Sequence, residues 1–149
     1  MKNRYLLYLS LLIMSLNTSL AQQLDELKWK NRVLILKSTN KNNELISRQL
    51  EAFENDKDGM VERKLVVYVI QGNDIRFIDF KSKQPKQMDK ENIRKSGQKL
   101  FETKSESEVI LIGLDGTVKL RQTDFLPLEN LFTRIDGMPM RRAEIRGKN

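Results

Sequence analysis

The chain has 149 residues, 39% hydrophobic and 32% charged, with only 7 glycines and 3 prolines, the composition of one ordinary globular domain without low-complexity bias. Basic residues outnumber acidic ones 27 to 20, a formal charge of +7, which favours acidic surfaces as partners and says nothing of the fold. Cysteine and histidine are both missing from the sequence. That excludes disulfides, thiol catalysis, zinc fingers, Ser-His and Cys-His nucleophile pairs and thioether haem attachment, so no catalytic residue, metal or cofactor is expected.

The first four residues, MKNR, are basic, and YLLYLSLLIMSL over residues 5–16 is mostly apolar. Asn17-Thr18 and then Ser19-Leu20-Ala21 follow. Basic, apolar, then small-x-Ala is the order of a secretory signal peptide, with cleavage expected between Ala21 and Gln22. A bilayer span needs about 20 apolar residues; this run is shorter, and no cysteine follows it to carry a lipid. The expectation is an exported protein, periplasmic or secreted, with no membrane span once residues 1–21 are removed. Residues 22–149 then form a single domain with a basic C-terminal tail.

Residues 22–31 are a polar lead-in whose Leu24, Leu27 and Trp29 are expected to dock on the domain edge. Val33-Leu34-Ile35-Leu36 is a continuous apolar run, the pattern of a strand covered on both faces. Residues 42–57 read as a helix: Ile46, Leu50 and Phe53 share one side, Arg48, Glu51, Glu54 and Lys57 the other, and Asp58-Gly59 closes it. Leu65-Val66-Val67-Tyr68-Val69-Ile70 is a second buried strand, and residues 75–80 are a short additional one. An exposed basic loop over 81–86 leads to a second helix over 90–101, capped by Asp89 and weakened by Gly97.

Val109-Ile110-Leu111-Ile112 is the third buried strand, and Asp115-Gly116 signals a hairpin into Thr117–Arg121, which alternates like an edge strand. Leu128, Leu131, Phe132 and Ile135 mark a last helix, with Pro127 in its first turn and Gly137 at its end. The order β-α-β-α-β-β-α makes an α/β domain with a central mixed sheet flanked by helices. Its first two strands are parallel through a right-handed crossover. This succession matches a thioredoxin-like core.

Two segments are more specific than their periodicity: LIGLDGTVKLR over 111–121 and LFTRIDGMPMRR over 131–142. With the opening LDELKWKNRVL over 24–34, they resemble an exported bacterial domain family of unknown function. Its relatives are the DUDES domains of vertebrate extracellular matrix proteins carrying sushi repeats or coiled-coil segments. The likeness covers residues 24–142. It implies a thioredoxin-like fold of peroxiredoxin type and no established activity, since fold does not carry function.

A thioredoxin-like enzyme holds its thiolate at the start of the first core helix, where the dipole lowers its pKa. Here that turn reads Ser38-Thr39-Asn40-Lys41-Asn42-Asn43. The proline that redox members place before the third core strand is replaced by Glu106-Ser107-Glu108. The residues therefore favour a non-enzymatic binding or scaffolding module, the alternative being an antioxidant or oxidoreductase role inherited from the fold.

Two binding sites are candidates. Ser38, Thr39 and Asn40 would offer hydroxyl and backbone donors to a small anion, or would simply cap the helix. Lys119, Arg121, Arg141 and Arg142, with Arg134 nearby, would form a basic patch for phosphate or carboxylate groups of an envelope or extracellular partner, whether anionic polymer or protein. Otherwise they are solvated charges guarding an edge strand, and Arg121 could instead reach Asp136 to tie strand to helix. Met138 and Met140 without cysteine or histidine make a thin copper site, and Asp56, Asp58 and Glu62 match no calcium loop. No aromatic platform or recognition motif supports nucleic acid as a partner.

Overall fold

A computed structural model describes residues 20–72, 74–82, 86–88 and 105–147. The segment before residue 20, expected to be a signal peptide, and the helix expected over 90–101 with its Asp89 cap lie outside the described residues, as do positions 83–85 of the basic loop.

The centre of the fold is β1 (Arg32–Ser38), a strand sealed on both faces by its own sequence. It runs parallel to β2 (Leu65–Gln71), pairing Leu34 with Val67, and antiparallel to β5 (Ser107–Ile112), pairing Leu34 with Leu111. Outward from β2 come β3 (Asp74–Asp79) and the three-residue β4 (Lys86–Met88), and outward from β5 comes β6 (Val118–Gln122). The six strands stand in the order β4-β3-β2-β1-β5-β6.

Strand alternation divides the apolar residues into two cores. Leu34, Leu36, Val67, Val69, Val109 and Leu111 meet Ile46 and Phe53 of α2 (Glu44–Asn55), Met60 of α3 (Lys57–Glu62), and Leu131 and Ile135 of α4 (Leu128–Asp136). On the opposite face Val33, Ile35, Val66, Tyr68, Ile110 and Ile112 meet Leu24 and Leu27 of α1 (Leu20–Leu27). The chain ends its described part in α5 (Pro139–Arg146).

Several sequence expectations are corrected. The helix expected over 42–57 is two helices, because Asp56 leaves helical geometry at φ −135° and ψ 64° and accepts a hydrogen bond from the Gly59 amide. Gly59 therefore lies inside α3 rather than closing a helix. It is small because a Cβ there would stand 2.6 Å from Asp56 Oδ2 and 2.8 Å from the Phe132 ring. Lys64, at φ +54°, makes the left-handed turn into β2 that glycine was expected to make at 59. Trp29 does not dock: it is 60% exposed, held by its backbone amide donating to the Leu114 carbonyl. Pro127 precedes α4 as its N-cap residue instead of standing in its first turn. The basic C-terminal tail is helical, with Pro139 in the first turn of α5.

Candidate functional site

The turn after β1 is closed upon itself. Ser38 is buried, and its Oγ accepts from the Asn40 amide at 3.1 Å. Asn40 Oδ1 accepts from the Asn42 amide, and Asn43 Oδ1 accepts from the Ile46 amide as the N-cap of α2. Thr39 is tied by both amide and hydroxyl to the Glu106 carbonyl. Short polar side chains favour such local rings over an open loop. Thus Asn43, rather than Ser38, Thr39 or Asn40, caps the helix. The three predicted residues present no convergent set of free donors.

The predicted basic patch does not assemble. Arg121 stands opposite Ile110 on β5, and strand alternation puts it on the sheet face away from α4. There it donates to Glu108, 3.1 Å to Oε2, beside Lys37; it does not reach Asp136. Lys119 falls at an irregularity in the β5–β6 register, between the Leu111–Leu120 and Ile112–Val118 pairs. The side chain crosses Gly113, whose Cβ would meet Lys119 Cε at 2.6 Å, and ends 2.7 Å from Asp115 Oδ2. Asp115 also accepts from the amide and hydroxyl of Thr117, and chiefly through the Lys119 hydrogen bond its carboxyl is lowered to about 2.

Arg141 is the clearest correction. Proposed from sequence as a surface cation, it is 2% exposed. Its Nε donates to Asp136 Oδ1 at 3.0 Å, its Nη2 to Glu62 Oε1 at 2.8 Å and its Nη1 to the Glu62 carbonyl at 3.2 Å. Asp136 is gripped a second time by the fork of Arg63, whose guanidinium carbon stands 4.0 Å from the centre of the Phe132 ring. Burial works against the charges of Asp136 and Arg141. On Asp136 the hydrogen bonds from Arg63 and Arg141 outweigh it and hold the carboxyl below its ordinary range; on Arg141 the two carboxylates raise the guanidinium. Arg142, one residue on, faces solvent as predicted.

Arg32 was not singled out in sequence, yet it is the most buried charge among the described residues, at 1% exposure. The signal was parity: one residue before the apolar run, it shares the strand face of Leu34 and Leu36 that the helices cover. Its Nη1 donates to the Arg63 carbonyl at 2.9 Å and to Glu144 Oε2 at 3.3 Å. Its Nε and Nη2 are buried with no hydrogen-bond partner among the described residues. Desolvation pulls this guanidinium below its ordinary value, with Glu144 acting in the other direction.

Arg32 lines a cleft of about 920 Å³ that runs between β6 and the start of α5, within the range of small-molecule sites. Leu120, Phe125, Met138 and Met140 supply apolar wall, and Lys119 and Arg134 supply cationic groups, Arg134 donating to the Lys119 carbonyl. Of the cations predicted for the basic patch, the cleft thus gathers Lys119 and the neighbouring Arg134 but neither Arg121 nor Arg142. Among the described residues no group of three or more acidic side chains converges to hold a metal ion, and no helix is long and apolar enough to cross a membrane.

Fold and site together define a mixed α/β domain with a basic-lined surface cleft at one end of its central strand. The chain belongs to the family described as Domain of unknown function (DUF4174), which matches residues 23–144. No curated protein and no solved structure matches it.

Proposed function

We propose that this chain is an exported, thiol-free thioredoxin-like domain that works by binding, in the periplasm or outside the cell, and not by catalysis. What supports the thioredoxin-like reading is the strand order β2-β1-β5-β6, with one parallel and two antiparallel pairings. The placement of α2 and α4 on one face of that sheet adds to it. The kinship with the extracellular DUDES domains rests on the sequence segments and belongs to the same proposal.

The observation that carries the functional reading is the turn after β1. In a redox relative of this fold it would present a nucleophile. Here Ser38, Asn40 and Asn43 spend their side chains on the backbone of the turn itself, and a serine hydroxyl cannot replace a thiolate in disulfide exchange or peroxide reduction. Binding falls instead to the other end of β1, where Arg32, Lys119 and Arg134 line the cleft. An anionic envelope or extracellular partner suits those charges.

The test is direct. Purified protein is assayed for insulin-disulfide reduction and for peroxide turnover with a thiol donor, and is passed over native envelope fractions. No turnover together with salt-sensitive retention of a partner is expected. Robust turnover in either assay would defeat the reading.

A further inference from the structure

Resting on the reading of the chain as a binding module, we infer that the cleft is a carboxylate-binding pocket in which Arg32 takes the ligand's head group and the apolar wall takes its body. Arg32 is a built feature rather than a surface accident. It is 1% exposed, it starts the central strand, and its Nη1 is fixed by the Arg63 carbonyl and Glu144. The free edge of the guanidinium, Nε with Nη2, is the pair of parallel donors that matches the two oxygens of a carboxylate. Burying those two N–H groups without acceptors is costly, so their retention requires a reason.

Donor geometry selects the class of ligand. The cleft is net positive, with Lys119 and Arg134 added to Arg32, so an anion is favoured. The pair of parallel donors left unfilled among the described residues, Arg32 Nε with Nη2, matches the two coplanar oxygens of a carboxylate in a single bidentate contact. Asp115 does not oppose the ligand, because Lys119 and Thr117 already occupy its oxygens. The body of the ligand faces Leu120, Phe125, Met138 and Met140. Because Nε and Nη2 are covered in the free protein, the head group reaches them by displacing wall side chains, and unbranched methionine repacks easily.

Phenylacetate and phenylacetamide make a matched probe pair, alike in shape and different in one charge. The experiment titrates each into the full chain, following the arginine Nε–H resonances and the amide spectrum by NMR. Saturable binding of phenylacetate is expected, with the Arg32 Nε–H resonance moving downfield and phenylacetamide binding at least tenfold more weakly. Arg32→Gln should abolish the difference between the two probes. Since that variant loses a core contact, Thr133→Trp, at an exposed α4 position lining the cleft, serves as the second test. It should block phenylacetate while leaving the thermal melt in place. Equal affinity for the two probes, undiminished binding to Thr133→Trp, or a preference for inorganic phosphate would each overturn the assignment. None of these outcomes produces thiol turnover, so failure here is distinct from failure of the binding-module reading.

Discussion

Gln49 and Leu126 hold each other by two hydrogen bonds: the Gln49 side-chain amide donates to the Leu126 carbonyl and its Oε1 accepts from the Leu126 amide, both at 2.8 Å. Gln49 is fully buried, so a side chain of α2 acts as a strand-like partner for the segment that enters α4. This clamp fixes where α4 starts, and with it one wall of the cleft.

Removing that clamp strands two buried backbone groups. Gln49→Leu preserves volume but satisfies neither, so a loss of about 2–4 kcal/mol is expected. Urea denaturation monitored by circular dichroism measures it, and a change below about 0.5 kcal/mol would show that the clamp is dispensable.

Arg141 and Arg142 should behave as opposites although they are neighbours in sequence. Arg141→Ala leaves Asp136 and Glu62 without their buried partner, for an expected cost of about 3–5 kcal/mol. Arg142→Ala, at an exposed position of α5, should stay within about 0.5 kcal/mol. Comparable melts for the two variants would contradict the burial of Arg141.

Acid should unfold this protein through named carboxylates. Asp115 is lowered to about 2, chiefly by Lys119. For Asp136 and Glu144 burial pushes upward, but Arg63 and Arg141 on the one, and Lys64 and Arg32 on the other, bring the net shift downward. A depressed carboxyl contributes stability that is complete above its unfolded value, here 3.8 for aspartate and 4.5 for glutamate. That stability is lost as pH falls through the folded value. The urea midpoint is therefore expected to be flat from neutral pH to about 5 and to fall steadily below about 4. Asp136→Asn should flatten part of that slope; an unchanged slope would assign the acid sensitivity elsewhere.

Gly59→Ala tests the close approach inside α3. Alanine improves helix propensity by about 1 kcal/mol, but its Cβ would press on the Asp56 cap and the Phe132 ring, and such overpacking costs about 1–3 kcal/mol. A net loss of stability is expected in a thermal melt, where propensity alone would give a gain.

Leu111→Ala reports on the third buried strand. Leu111 is fully buried between Leu34 on β1 and Leu120 on β6, so truncation should cost about 2–5 kcal/mol. A near-neutral melt would mean that β5 is not the central neighbour of β1.

The amino-acid sequence by itself determined the framework. Continuous apolar runs at 33–36, 65–70 and 109–112 are strands covered on both faces, and the spacing of Ile46, Leu131 and Ile135 is helical. These are local properties, since periodicity follows from backbone geometry alone. The sequence also excluded thiol and imidazole chemistry, because composition does not depend on folding. What only the tertiary structure decided was the fate of each charge. Arg121, Arg141 and Arg142 look alike in sequence, yet one faces the far side of the sheet, one is buried among carboxylates and one is solvated. Asp56 splits a helix because its carboxylate finds the Gly59 amide, and Arg32 becomes a buried fork because α4 and α5 close over its end of β1. Electrostatic roles are set by neighbours distant in sequence and by local dielectric, and neither is written in the spacing of residues along a chain.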